Sequence, residues 1–548
     1  MLRKIIIILS LLFICCAWLS PFHANPWLMI VSEICAFLSL FCLIFFFKDK
    51  DIIIPRVVLP VLFFSLIPFF QYFFGIELYF ETALLCFSYL FCVFMSMIIG
   101  FNTASMGLKE RTLILLSGSI LMSSLISVII ILLQWFGLEK NIFFIAPLHH
   151  DRPFGNFAQP NNMATFLVFG LLSNLFLLKD LKITKKMASI FSFLILFAIA
   201  LSYSRTAWIE LIIIGVCLFF IQDKVVKKKT IYFYSVLFFL FLFTIPYLNN
   251  FLNDFGLGLL STQNVNDRLS TGSLRLGIWK QMLVAIYQQP WFGYGWNQTA
   301  YAQIIASTTV FHSEQTRSAH NIILELLVWN GILIGSIIIF YALYLLKLVF
   351  FASNQKMVLI RLIIVSFIVH ALLEFPQNYA CFLLIIAFLI GFLLRENYDL
   401  KIFQLNKKTF PIIFIFSIII FGAIIRDYLN IKYIIANYNS EEFEKNEIKE
   451  EILILGRLDT MKNWVFEKKP SMMSDAKIKY YENFIKTAPT EYNLINIVKI
   501  LILNGRFEEA RDYYKILYDL YHVNYTYDDI YKSVKNNQPI RVNEIGER

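Results

Sequence analysis

His320 lies in the segment TRSAHNIILELLVWNGI, Thr316 to Ile332, where a polar stretch gives way to an apolar run. Histidine is the usual general base near neutral pH, although a His at a helix end also serves structural purposes. Arg317 precedes it by three positions. Gly272 to Gln298, GSLRLGIWKQMLVAIYQQPWFGYGWNQ, carries Arg275 at the start of a stretch patterned as an interfacial amphipathic helix. A helix N-terminus with Arg275 would suit an anionic diphosphate, and the aromatic turn Pro290 to Trp296 would suit stacking on sugars. SYSRTAWIEL, Ser202 to Leu211, places Arg205 and Glu210 close to or within apolar runs. An ionisable group there is a functional candidate, and snorkelling toward headgroups is the alternative for Arg205. Glu210 could pair with a basic neighbour that the sequence does not identify.

HHDRPFGNFAQPNNMATF, His149 to Phe166, adds Arg152, Asn156 and Gln159. Arg152 offers a planar donor fork for phosphate. The two amides could serve sugar hydroxyls or phosphate oxygens, and Asn161 or Asn162 could cap the helix that follows. The alternative is a capped helix start behind a solvated loop. In HALLEFPQNYA, His370 and Glu374 stand four apart, a spacing that lets them meet on one helix face. Tyr379 begins the next apolar run, a place where Tyr is also common for packing reasons. No metal site is expected. CxxC and Cys/His spacings are absent, and the one Asp-x-Asp is Asp49-Lys50-Asp51. The polar loops hold few carboxylates, chiefly Asp151, Asp254, Asp267 and Glu314.

The elements that must position these groups are membrane helices. Of 548 residues, 58% are apolar, 16% are charged and 57 are Phe, which excludes a soluble multidomain enzyme, a disordered chain and a small disulfide scaffold. Thirteen candidate spans fall at about 5–19, 27–47, 53–70, 79–100, 113–136, 163–178, 187–203, 207–222, 230–248, 321–346, 357–373, 378–394 and 410–425. The first is expected to be an uncleaved helix. The fold class is therefore all-α: a polytopic membrane protein with a large loop at 249–320. All eight Cys fall inside spans, so no disulfide framework is implied.

Basic residues alternate between the two sets of loops. One set holds 21 Lys and Arg, from Arg3 and Lys4 to Lys407 and Lys408; the opposite set holds seven: Lys140, Arg152, Arg205, Arg268, Arg275, Lys280 and Arg317. The positive-inside rule puts the first set and the N-terminus in the cytoplasm, and an odd span number leaves the tail outside. The net charge of +10 is thus a topology signal and not a nucleic-acid patch, because the tail from Arg426 carries 19 basic and 20 acidic residues. Six of the seven His fall on the outer side, and His370 lies near the outer end of its span. Residues 1–425 are read as the membrane domain and 426–548 as a soluble helical tail. Within the tail, 491–521 reads as two helices around Asn504-Gly505, either a tetratricopeptide-type (TPR-like) pair or an ordinary helical hairpin.

Taken together, these motifs resemble the bacterial O-antigen ligase/polymerase superfamily, and within it the PglL-type protein O-oligosaccharyltransferases. DRPFGNFAQPNNMATF resembles the protein-glycosylation-ligase segment. The stretch 190–345, with SRTAW, the large loop and AHNIILELLVWNGI, resembles the ligase core. The resemblance implies transfer of a preassembled glycan from undecaprenyl diphosphate to Ser or Thr hydroxyls of an exported protein such as a pilin. The place implied is the periplasmic face of the inner membrane, with no metal or other cofactor. It also implies that His320 activates the acceptor, that Arg205 and Arg275 hold the diphosphate, and that Gln159 and Tyr379 are required polar positions. Arg152, Asn156 and Arg317 join Gln159 and Tyr379 as the expected donor- and acceptor-binding set. O-antigen ligation to lipid A core and O-antigen polymerisation share the architecture and remain the alternatives. A lipid-linked glycan transporter is disfavoured, because the polar residues gather at one face and no internal repeat is visible.

Overall fold

The structure is a computed structural model that describes residues 2–23, 25–107, 109–148, 152–221, 226–255, 257, 273–312, 314–351, 357–396, 400–437, 451–467 and 470–536. His149, His150, Asp151, Asp267 and Arg268 lie outside the described residues. Each of the thirteen apolar intervals contains helix. Eight helices among the described residues are long and apolar enough to cross a membrane. The other intervals hold helices of 14 to 17 residues, such as Val358–Ala371 and Ile30–Phe46.

The chain divides into two compact units interleaved in sequence: 1–64, 89–272 and 341–418 in one, and 65–88, 273–340 and 419–548 in the other. In the first unit, helix Pro160–Lys179 is the most deeply buried of the long apolar helices. It packs against Lys109–Trp135, Lys185–Leu201, Arg205–Phe220 and Val358–Ala371. Small residues permit that packing, as is usual where lipid supplies no hydrophobic drive between helices. A Cβ on Gly170 would fall 2.3 Å from Ser124 Oγ. Likewise, a Cβ on Gly391 would fall 1.9 Å from Met97 O, and one on Gly100 2.1 Å from Phe388 O.

The all-α membrane architecture carries one short two-stranded ribbon. Ile52–Pro55 is a β-strand that pairs antiparallel with Ile402–Leu405, Ile52 opposite Leu405. The interval expected to begin a span at 53 therefore starts extended; helices Leu59–Ser65 and Ile67–Phe73 follow. The β-branched run Ile52-Ile53-Ile54 favours a strand once a partner exists. The free edge is satisfied by Asn102, whose Oδ1 accepts from Ile53 N at 2.9 Å and whose Nδ2 donates to Ile53 O at 2.7 Å. Asp51 closes the other end by accepting from Lys407 N at 3.0 Å.

In the second unit, the tail contributes helices Gly456–Phe466, Asp475–Thr487, Glu491–Leu503, Phe507–Tyr521 and Tyr527–Asn536. The expected helical pair around Asn504-Gly505 is there, with Gly505 in the left-handed region that ends the first helix. Ser474 and Thr490 cap the second and third tail helices through their hydroxyls. The tail core, built on Trp464, Tyr481, Leu494, Ile497, Leu501 and Leu517, also takes in Ile304 from the large loop, with Tyr301 and Ile305 packed against it. Helix Thr409–Asn437 runs through the expected domain boundary at 425.

Candidate active site

The candidate residues form two groups, one in each unit. In the first unit, three helix N-termini are tied together by side chains. Helix Pro160–Lys179 has Gln159 at its N-cap position, with Pro160 first because its missing N–H is not needed there. Asn161 and Asn162 are therefore inside the first turn and not caps. Asn161 donates to Glu374 Oε1 at 2.6 Å and accepts from Ser204 Oγ at 2.9 Å. Ser204 is the N-cap of Arg205–Phe220, accepting from Ala207 N at 3.3 Å, so Arg205 is the first residue of that helix. Arg152 Nη1 donates to Ser202 O of the same turn at 3.4 Å. Tyr379 stands at the N-cap position of Ala380–Leu394, its ring stacked on Phe375, and its hydroxyl interacts with Asn162. Glu33 accepts from Ala380 N with both oxygens at 3.1 Å.

These N-termini carry partial positive charge, and two arginines add full charge beside them. Among the described residues, the buried Asn162 amide meets the Tyr379 hydroxyl, while buried Gln159 Oε1 has no hydrogen-bond partner. Buried polar atoms in this condition call for an explanation, and a bound ligand is one.

Two of the expected residues meet different partners in this unit. Asn156 is not available to a substrate: Nδ2 donates to Leu19 O at 2.7 Å and Phe144 O at 2.9 Å, and Oδ1 accepts from Ala146 N at 3.0 Å. Its amide organises the loop. Glu210 meets hydroxyls and not a cation, accepting from Thr165 Oγ1 at 2.5 Å and from Ser366 Oγ. Glu374 lies beyond helix Val358–Ala371, and its Oε1 accepts from Asn161.

In the second unit, Arg275 is in the first turn of helix Ser273–Gln288. The helix buries Ile278, Met282, Ala285 and Ile286 on one face, the amphipathic pattern expected. His320 is half-buried and has a left-handed backbone, φ 51°. That conformation is uncommon for a non-glycine residue and costs of order 1–3 kcal/mol. The flanking backbone is held on both sides. Ala319 N donates to Glu325 Oε1 at 2.6 Å, and Ala319 O accepts from Trp279 Nε1 at 3.0 Å. His320 N donates to Ser318 Oγ at 3.0 Å, and Asn321 Oδ1 caps the following helix by accepting from Ile323 N at 3.0 Å.

Glu325 is fully enclosed and its second oxygen accepts from Thr299 Oγ1 at 2.7 Å, which in turn accepts from Trp329 Nε1 at 2.8 Å. Glu325 also interacts electrostatically with His320. Gln303 completes the frame, accepting from Thr316 N at 2.8 Å and donating to Gln281 Oε1 at 3.0 Å. Arg317 is beside Arg457 and Tyr521 of the tail, and burial first, then Arg457, holds its guanidinium below the ordinary arginine range.

Sequence reasoning missed Glu325, Thr299, Gln303, Asn162 and Glu33 as site-forming residues. The signal for Glu325 and Glu33 was a lone carboxylate inside an apolar run. The others had none, since their partners are backbone groups or residues distant in sequence.

A multi-helix membrane scaffold whose one unit carries arginines and amides at helix N-termini, and whose other carries a clamped histidine, suits a membrane glycosyltransferase, and the comparisons give that class. Residues 190–340 match the O-antigen ligase family, 153–178 the protein glycosylation ligase family, and 358–529 the family of virulence factor membrane-bound polymerases, C-terminal region. The chain is 33% identical to a general O-oligosaccharyltransferase of Acinetobacter baylyi, over 96% of this chain and 94% of that protein. It is 28% identical to a ComP-specific O-oligosaccharyltransferase of the same organism, over 73% of this chain and 74% of that one. The chain belongs to the O-oligosaccharyltransferase family, and it is a multi-pass membrane glycosyltransferase of protein O-glycosylation.

Proposed function

We propose that the donor is an undecaprenyl-diphosphate-linked oligosaccharide, transferred en bloc to Ser or Thr hydroxyls of an exported protein such as a pilin. In this reading the chain crosses the inner membrane thirteen times, with the N-terminus cytoplasmic and the large loop 249–320, active site and TPR-like tail periplasmic. The observation that carries the reaction is the left-handed His320, held by hydrogen bonds on both neighbours. Such strain persists only where the surroundings over-determine it, and it concentrates at functional sites.

His320 takes the proton of the acceptor hydroxyl as its oxygen attacks the anomeric carbon. The bond from that carbon to the diphosphate oxygen breaks, and its electron pair leaves with the diphosphate. Arg275, aided by Arg317, stabilises that developing charge, and the family resemblance assigns Arg205 and Arg152 of the first unit to the same diphosphate. Gln159, Asn162 and Tyr379 hold polar groups of the donor.

The test is co-expression with a lipid-linked glycan pathway and a candidate pilin, read by intact mass. A glycan-sized mass gain on the pilin supports the reading, and modification of lipid A core instead overturns the acceptor assignment. A folded His320→Ala variant that still transfers at near the normal rate removes His320 from the mechanism.

A further inference from the structure

Helix Ile322–Phe350 is broken. Gly331 has φ 72° and ψ 176°, which no helical residue adopts. At 1.5 Å per residue the whole element would run about 43 Å, well beyond a hydrocarbon core of roughly 30 Å. From 332 to 350 it is about 28 Å, which matches one crossing. The break exposes backbone groups, and the segment 290–295 satisfies them. Ile332 N donates to Pro290 O at 2.7 Å, Tyr294 N to Val328 O at 2.9 Å, and Gly295 N to Trp329 O at 3.1 Å. Gln71 Nε2 adds a bond to Trp329 O at 2.9 Å, and its Oε1 accepts from Trp296 N. The two strands of backbone touch: a Cβ on Gly331 would be 2.3 Å from Trp291 O, and one on Gly293 would be 2.5 Å from Val328 O. Irregular backbone at this level is tolerated because protein satisfies it.

The turn that fills the break faces outward with large apolar side chains. Trp291 is 69% exposed and Phe292 64%. They continue a stripe of exposed apolar residues, Leu276, Leu283 and Tyr287, on helix Ser273–Gln288, opposite its buried face. On the other side of the break, Leu333, Ile337 and Phe340 are exposed along the crossing segment. The stripe is thus continuous with the lipid-facing flank of a spanning helix. Trp and Tyr beside an apolar body are what the headgroup boundary selects.

We propose that Trp291 and Phe292, with Leu283 and Tyr287, insert into the headgroup–acyl boundary of the bilayer leaflet on the His320 side, and that the membrane surface lies at Gly331. The occupant of this face is bulk phospholipid. Helix 322–330, which carries Glu325, then stands outside the hydrocarbon core. Trp291 thereby anchors the frame that holds Arg275 and His320 at a fixed height above the lipid.

The test uses the full chain in bilayers that contain phosphatidylcholine brominated at shallow or deep acyl positions. Trp emission is compared between wild type and Trp291→Phe, so the difference reports Trp291. The expected result is strong quenching of that difference by shallow bromines, less by deep ones, and little by aqueous iodide. Tyr287→Trp places a second reporter on the same stripe and should add emission with the same quenching order. Iodide quenching without bromolipid quenching at both positions overturns the proposal. So does shielding that appears only when acceptor protein is added, or only as the protein-to-lipid ratio rises, because those outcomes assign the face to the acceptor or to a second copy.

Discussion

Glu325→Ala is the sharpest probe of the His320 frame. The carboxylate accepts from Ala319 N at 2.6 Å and from Thr299 Oγ1 at 2.7 Å. Hydrogen bonds to a charged group contribute about 1.5–3 kcal/mol each, so the pair supplies roughly 3–6 kcal/mol. The left-handed His320 backbone opposes it with about 1–3 kcal/mol. Alanine removes both acceptors and leaves two enclosed donors unmade, so the balance reverses and the His320 backbone relaxes. A displacement of about 1 Å at a catalytic group costs on the order of 100-fold, equivalent to roughly 2.7 kcal/mol at 1.36 kcal/mol per decade. We predict that kcat for glycan transfer falls about 100-fold in Glu325→Ala while the donor KM moves less than about threefold, since the loss falls on the reacting step. Glu325→Gln keeps an acceptor for Ala319 N and should recover most of the loss, ending near tenfold below wild type on the same scale. The assay is transfer to purified acceptor with a defined lipid-linked donor, with thermal unfolding followed in parallel. An alanine variant with unchanged kcat refutes the clamp. Parallel loss of kcat, donor affinity and Tm would instead make Glu325 an ordinary structural residue.

Backbone strain at His320 predicts that His320→Gly is more stable than His320→Ala by about 1 kcal/mol, as only glycine takes φ 51° without a Cβ penalty. Equal melting temperatures for these two inactive variants would deny the strain. Gly331→Ala should destabilise by at least about 2 kcal/mol, because a Cβ there meets Trp291 O at 2.3 Å in a left-handed backbone; a neutral change in Tm would contradict the close contact. Arg275→Lys should weaken donor binding about tenfold, as a point charge replaces a bidentate fork, and unchanged donor affinity would remove Arg275 from the diphosphate site. Ile304→Ala should cost about 2–5 kcal/mol of tail stability and lower transfer with it, which limited proteolysis and the transfer assay would show together.

Much of the helical layout was legible because membrane helices announce themselves by length and hydropathy. The exceptions have physical causes. Ile52-Ile53-Ile54 reads as the start of a span until its partner, about 350 residues away, is known. An apolar run cannot show that Gly331 interrupts it, since the cause is the segment 290–295 docking from outside. His320, Arg205 and Arg275 were visible by residue type and position. Glu325 stood out only as a lone carboxylate in an apolar run, and its role did not show because its principal partner is a backbone N–H. Asn156 looked like a substrate amide for the same reason: its three backbone bonds leave no trace in the sequence.

Helix Thr299–Ser307 joins two parts of the second unit that the sequence keeps apart. Thr299 and Gln303, one turn apart, face the frame: one holds Glu325 and the other holds Thr316 N. Tyr301, Ile304 and Ile305 face the other way and enter the tail core, where Lys486 lies over the Tyr301 ring. A nine-residue helix is too short to be stable by itself, so its order must come from packing. Helix Ser273–Gln288 and the tail helices Asp475–Thr487 and Phe507–Tyr521 supply that packing together. The His320 backbone is therefore held by a helix that the tail helps keep folded, and the tail contributes structural support to the site whatever else it binds. This dependence also accounts for the placement of loop 273–340 and tail 419–548 in one compact unit, despite nearly eighty residues between them.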